Sequence, residues 1–275
     1  MTQESVPTTE ELATAGVRLE IHGALARITL ARPERHNAMT GRTWTALAHI
    51  GHTLSRSVRI VVIDGAGASF SSGIDLAMFD PAGGLPGEQS LLQRLLSESD
   101  DSATHASLDA DIASYQAGYR WLRRPDIVSI AAVHGHAIGA GFQLALACDL
   151  RILAEDAQLS MREPALGLVP DLTGTKPLVE LVGRSRAIEL CLTARTISAR
   201  EAHELRLAEL VVPNAELDGA VTDLVDALLA TPAGAARATK ELLGQAGENS
   251  LEEQAAAERA AQIERLQAMA QRLPE

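Results

Sequence analysis

Residues 59–76 read RIVVIDGAGASFSSGIDL, and residues 130–152 read IAAVHGHAIGAGFQLALACDLRI. Each opens on a nearly continuous apolar run and then breaks into glycines. An apolar run without polar alternation is the pattern of a strand buried on both faces of a parallel sheet. The first stretch predicts a strand over Arg59–Asp64, closed by the turn Gly65–Gly73. The second predicts a strand over Asp126–Val133, the turn Gly135–Gly141, a helix through Leu146 and another strand over Asp149–Ala154. Parallel neighbours need crossover connections, so strand–helix alternation of this kind selects an α/β chain.

Working outward, Val17–His22 and Leu25–Leu30 predict a hairpin around Gly23. A polar loop follows at Arg32–Asn37, then a helix over Ala38–Leu54 with Met39, Trp44, Leu47 and Ile50 at helical spacing. Residues 78–108 mix Gly, Pro, Ser and acids around one short apolar stretch and read as a partly helical insertion. Ile112, Tyr115, Tyr119 and Leu122 mark the next helix. Ser198 with Glu201 and Ser250 with Glu253 have the spacing of capping boxes, and Thr231-Pro232 reads as a cap with proline at the first helical position. The expected organisation is a loose arm over 1–16, a core over 17–195 and a helical region over 196–275.

The chain has 275 residues, 46% of them hydrophobic but only 3% aromatic, so its core must be built from Leu, Val, Ile and Ala. A net charge of −12 without a Lys/Arg cluster argues against a nucleic-acid partner. The opening MTQESVPTTEELATAG is polar rather than signal-like, and no apolar run is long enough for a membrane span. A cytoplasmic location is the expectation. Cys148 and Cys191 stand outside any Cys-x-x-Cys or Cys/His pattern, so neither a disulfide framework nor a metal site is expected.

Chemistry concentrates at the two glycine turns, Ser71-Ser-Gly-Ile-Asp-Leu76 and Gly135-His-Ala-Ile-Gly-Ala-Gly141. Glycines there let backbone or ligand approach closely, and the first N–H groups of a helix have no internal partner. Two such N–H groups aimed at one point would stabilise an enolate or thioester oxyanion. Two ordinary tight turns would carry the same glycines. Neither turn fits G-x-G-x-x-G or a phosphate loop. Farther on, Glu163 and Asp171 lie in a largely apolar stretch, where a carboxyl has a raised pKa and can move protons near neutrality. The plainer alternative pairs Glu163 with Arg162 or Arg151 and has Asp171 cap a helix at Leu172. Gly-x-Ser-x-Gly and His-Glu-x-x-His are absent, and His36, His134 and His136 are further candidate bases.

Taken in order, these segments resemble the enoyl-CoA hydratase/isomerase (crotonase) superfamily. The matching pieces are ITLARPERHNAM (28–39), residues 59–76 and 130–152 as above, AQLSMREPALGLVPDLTGT (157–175) and KPLVELVGRSRAIELCLTAR (176–195). The resemblance implies a crotonase-like spiral of ββα units with a helical C-terminal trimerisation region. It also implies an acyl-CoA thioester substrate, no cofactor beyond that CoA and no metal, and a homotrimer or dimer of trimers. It assigns the oxyanion hole to the backbone N–H groups of Ile74 and Ala140. CoA contacts would come from Arg32, Arg35, Asn37 and Ala38, from Ser72, and from Lys240, in this subunit or a neighbour.

Two departures bear on the reaction the resemblance implies. Family hydratases use two glutamates; Glu163 matches one, but Gln143 stands at the other. A lost carboxylate should slow general acid–base catalysis about 10²–10⁴-fold. Asp171 stands eight residues after Glu163, as in the dienoyl-CoA isomerase branch, although that branch carries a third acid where this chain has Gln143. The expectation is therefore an isomerase that shifts double bonds through a stabilised enolate. The alternatives are a hydratase with Glu163 as its single catalytic acid, and a non-catalytic acyl-CoA binder.

Overall fold

Even-numbered and odd-numbered residues of the central strands part company. Ile60, Val62, Ile130, Ala132, Ile152 and Ala154 belong to one apolar cluster. Val61, Ile63, Ala131, Val133 and Leu153 belong to another. Side chains alternate across a strand, so a strand apolar at every position must be covered on both faces. The computed structural model, which describes residues 6–80, 84–85, 90–97 and 101–271, shows how.

The strands are β1 (Val17–His22), β2 (Leu25–Leu30), β3 (Ile60–Gly65), β4 (Val128–Val133), β5 (His136–Ile138), β6 (Leu150–Ala154), β7 (Gln158–Ser160), β8 (Ile197–Ser198) and β9 (Leu210–Val212). The main sheet runs β1-β2-β3-β4-β6-β9, and a smaller one runs β5-β7-β8. The β1/β2 pair is the antiparallel hairpin, with Val17 opposite Leu30. From β2 onward every neighbour in the main sheet is parallel. The C-terminal ends of β3 and β4 therefore lie along one edge, and both glycine turns leave from that edge.

The helices are α1 (Thr9–Thr14), α2 (Gly41–Thr53), α3 (Leu91–Ser97), α4 (Asp101–Arg120), α5 (Ala140–Ala147), α6 (Thr175–Thr193), α7 (Ala199–Glu204), α8 (Leu217–Ala230), α9 (Ala233–Gln245) and α10 (Leu251–Ala270). On one face α8 sets Leu217, Val221 and Val225 against the even-numbered strand residues. Burying a side chain of this size stabilises by about 1.5–3 kcal/mol. On the other face α2, α4 and α5 enclose the larger cluster, with Trp44, Leu47, Tyr119, Phe142 and Leu146 buried.

Three expectations need correction. The arm does not stay loose throughout. Thr8 and Glu11 form a reciprocal capping box, and Leu12 is buried in the core, so residues 9–14 form a docked helix. Residues 1–5 lie outside the described part of the chain, as do 81–83, 86–89 and 98–100 of the insertion. The rest of the insertion holds α3 and the first turns of α4, which starts eleven residues before Ile112. The region after 196 is not purely helical: β8 completes the small sheet, and β9 pairs parallel with β6. Thr231 ends α8, and Pro232 occupies the cap of α9 without a side-chain bond. Proline lacks an N–H and closes off the preceding helix as readily as it opens the next. Ser198 and Ser250 do cap α7 and α10.

Candidate active site

The two glycine turns are pressed together by backbone bonds. Ser71 N–H donates to His136 O at 2.7 Å, and Ile138 N–H donates to Ser71 O at 2.9 Å. The Ser71 hydroxyl donates to Asn37 O at 2.8 Å and accepts from Gly73 N–H at 3.1 Å. A Cβ on Gly141 would fall 2.8 Å from Ser71 O, so only glycine lets the helix start this close. Gly139 caps α5 at φ 50°, outside the range favoured by residues with side chains. As a result Ile74 and Ala140, the residues named for an oxyanion hole, stand on adjacent turns. Among the described residues neither N–H has an acceptor. Ala140 is the first residue of α5, so its N–H has no partner within the helix. The arrangement can accept an anionic oxygen, with the helix dipole adding to the attraction.

Glu163 lies beside this pair. A Cβ on Gly139 would come within 3.2 Å of Glu163 Oε1. Glu163 is 8% exposed, and its Oε2 is buried without a hydrogen-bond partner among the described residues. Burial pushes its pKa up; the donor bond from Gln143 opposes this and the Asp171 charge adds to it. The plainer alternative fails here: Arg162 donates to Ala194 O, and Arg151 pairs with Glu209. Asp171 is exposed at the edge of the site, yet enough protein surrounds its carboxyl for burial to raise its pKa as well. Its side chain makes no cap at Leu172, whose N–H is taken by Gln143.

Gln143 is fully buried and links Glu163 to the loop that follows Asp171. Its Nε2 donates to Glu163 Oε1 at 2.7 Å. Its Oε1 accepts from Leu172 N–H at 2.9 Å and Gly174 N–H at 3.1 Å. Gln116 of α4 holds the same loop from outside, donating to Asp171 O at 2.7 Å.

The residues expected around CoA divide into three kinds. Asn37 is a knot in the fold: its Nδ2 donates to Ala66 O and Ser69 O, its Oδ1 accepts from Arg32 N–H, and it is 1% exposed. Its side chain is thus spent on the backbone, which leaves its backbone rather than its amide to face any CoA. Arg32, Arg35, Ala38 and Ser72 form one cluster, in which Ala38 is buried. Arg32 reaches Ala38 O and Asp75, Arg35 reaches Asp75 at 3.3 Å, and Ser72 donates to Arg35 O. Lys240 lies elsewhere. Its Nζ donates to Ile127 O at 2.7 Å and to Asp149 at 2.6 Å, just before β4 and β6 begin. That is the edge of the sheet opposite the glycine turns, so within its own chain Lys240 does not join the site.

Sequence reasoning missed three contributors. Asp75, 2% exposed and adjacent to Ile74, clamps Arg32 and Arg35. Tyr119, read only as a helix marker, is fully buried and donates its hydroxyl to Ala140 O at 3.1 Å. Thr173 takes a left-handed φ of 68° in the loop that Gln143 holds. Asp75 had a signal, since an acid directly after an oxyanion turn needs a partner. The candidate bases His134 and His136 instead brace the first turn through Gly67 O and Ser69 Oγ.

Among the described residues no cluster of three or more His, Cys, Asp or Glu could hold a metal ion, and no helix is long and apolar enough to cross a membrane. A cleft of about 840 Å³, lined by Lys240, Arg59 and Arg237 among others, lies at the sheet edge opposite Glu163.

A parallel sheet with paired glycine turns and an appended helical region defines the crotonase fold. The enoyl-CoA hydratase/isomerase family model matches residues 20–272, and the chain belongs to that family of enzymes. It is 31% identical over 256 residues to the peroxisomal Δ(3,5)-Δ(2,4)-dienoyl-CoA isomerase of Arabidopsis thaliana, covering 92% of this chain and 87% of that one. A Thermobifida fusca YX protein assigned to the enoyl-CoA hydratases, solved in complex with CoA, shares 66% identity at a TM-score of 0.91, covering 97% of this chain and 99% of the other. The same Thermobifida protein with acetoacetyl-CoA superposes equally well, with 96% and 100% coverage.

Proposed function

We propose that the protein shifts carbon–carbon double bonds in an unsaturated acyl-CoA thioester, of the dienoyl-CoA or enoyl-CoA isomerase type. The observation that carries this reading is a pair of carboxyls with raised pKa values: Glu163, bonded to Gln143 beside two free N–H groups, and Asp171, directly before the loop that Gln143 holds. The CoA and acetoacetyl-CoA complexes of the Thermobifida relative support a CoA thioester as ligand. The Arabidopsis isomerase supports the reaction class.

A 3,5-dienoyl thioester would lose a proton at C2 and gain one at C6. Asp171, the more exposed carboxylate, removes a proton from C2. The C2–H electrons enter the conjugated system, and the thioester oxygen becomes an oxyanion held by the N–H groups of Ile74 and Ala140. Glu163, whose burial favours the protonated form, delivers its proton to C6. The double bonds now stand at C2 and C4, and solvent returns the two carboxyls to their starting states. Unequal burial separates the acid from the base. In a simple Δ3 to Δ2 shift, Glu163 alone would shuttle one proton.

The loop from Arg32 to Ala38 and Ser72 would meet the CoA moiety. Arg35, anchored at one end by Asp75 and with its side chain 56% exposed, would present its charge towards it. CoA arrives with the substrate, and the reading calls for no other cofactor. Exposed Leu251, Ile263, Leu266 and Met269 on α10 support assembly into a homotrimer or dimer of trimers, measurable by sedimentation. A second reading, hydration of a 2-enoyl-CoA with Glu163 as the single acid, is favoured by the hydratase assignment of the Thermobifida relative. Product analysis with 3,5-dienoyl-CoA and crotonyl-CoA in deuterated water separates the readings. A 2,4-diene with little hydration is expected; strong crotonyl-CoA hydration reverses the order. Tight binding without turnover of either ester would mean a non-catalytic binder.

A further inference from the structure

Gln143 has no freedom in how its amide faces. Two backbone N–H groups, of Leu172 and Gly174, point at its oxygen, so its NH₂ must point at Glu163. A Cβ on Gly174 would fall 2.6 Å from Gln143 Cγ, so the loop packs directly on the side chain as well. Because Glu163 Oε1 receives an N–H, it serves as an acceptor, and a proton on Glu163 belongs on Oε2. That oxygen is the one left without a partner. At the other end, the accepted bonds hold residues 172–174 with Thr173 in its left-handed conformation, and Asp171 directly precedes them. A β-branched residue keeps such a φ only where its surroundings enforce it.

We infer that Gln143 is a positioning residue that performs two tasks at once: its donor end fixes Oε2 as the proton-carrying oxygen of Glu163, and its acceptor end holds the loop that aims Asp171. A glutamate at this position could accept from the loop but could not donate to Glu163 when ionised. The amide therefore suits proton transfer between two separated acids rather than two carboxylates sharing one water. This inference rests on the proposed isomerase reading for its consequence in catalysis, but its geometry is testable without any substrate.

The test uses Gln143→Glu and Gln143→Leu in the full chain, with carboxyl ¹³C NMR titration of Glu163 and Asp171 and pH profiles of proton exchange. Gln143→Glu keeps an acceptor for the loop and puts a like charge by Glu163. The Glu163 midpoint should rise by about one pH unit or more while that of Asp171 stays near the wild-type value. Gln143→Leu removes both ends. Glu163 should again rise through loss of its donor, and Asp171 should fall towards the ordinary carboxylate range as its loop opens to water. Should Gln143→Leu fail to fold, Gln143→Glu still decides whether Glu163 responds alone. Unchanged midpoints in both variants, or equal movement of both acids in Gln143→Glu, would overturn the inference. Shifted midpoints in a protein whose wild type isomerises nothing would uphold the positioning and sink the isomerase reading instead.

Discussion

Gly73 lies against Ile138: a Cβ added at Gly73 would fall 2.6 Å from the Ile138 carbonyl oxygen and 3.5 Å from the nitrogen of Ala140, at a φ of 96° that side chains resist. The separation of the two free N–H groups depends on this contact. Gly73→Ala should push the Ile74 turn away and lower turnover about 10²–10³-fold, the cost of one oxyanion donor. Steady-state assay beside calorimetry with a CoA ester checks this. Binding should weaken far less than turnover.

Glu163→Gln should reduce isomerisation about 10²–10⁴-fold while retaining thioester binding. The same change carries a stability signature. Burial raises the folded-state pKa of Glu163 above its unfolded value. Its contribution is thus fully present below the unfolded pKa and is lost as pH rises through the folded one. Compared with wild type, Glu163→Gln should gain in Tm at pH 8 relative to pH 4. A constant difference across that range would contradict the buried, proton-holding carboxyl.

For Asp75 the sign is opposite. Burial pushes its carboxyl up, but the Ala77 N–H and the guanidiniums of Arg32 and Arg35 outweigh it, leaving the pKa below the usual value. Its stabilisation is present above the unfolded pKa and is lost as pH falls through the folded one. Asp75→Ala should cost about 3 kcal/mol at pH 7, because it strands Arg32 in a partly buried site, and less at pH 3. Urea unfolding at both pH values measures it. The KM for acyl-CoA should rise too, as Arg32 and Arg35 lose their anchor.

Lys240→Met tests the opposite edge of the sheet. Removing the ammonium leaves Asp149 with only its bonds from Ser129 and should lower stability by about 1–3 kcal/mol, seen as a lower unfolding midpoint. The KM for acyl-CoA should stay unchanged. A raised KM with normal stability would place Lys240 at the CoA site of a neighbouring subunit.

By itself the sequence determined the parallel sheet, the two glycine turns and the candidates Glu163, Asp171 and Gln143. Those features are local: the apolar run Ile60–Ile63 demands cover on both faces, and a glycine before a helix start shows in neighbouring residues. What the side chains touch was not legible. Gln143 reads as a mere substitution until residues 163 and 172–174 close around it, and the pairing of Lys240 with Asp149 at 2.6 Å, away from its own chain's site, has no mark in the sequence. Leu12 looked like part of a loose arm because six residues of capped helix are too short to announce themselves without the core they dock on. Only the tertiary structure decided these points. Hydrogen-bond partners drawn from elements 20 to 91 residues apart depend on the direction of each crossover, and nothing in the nearby sequence encodes that.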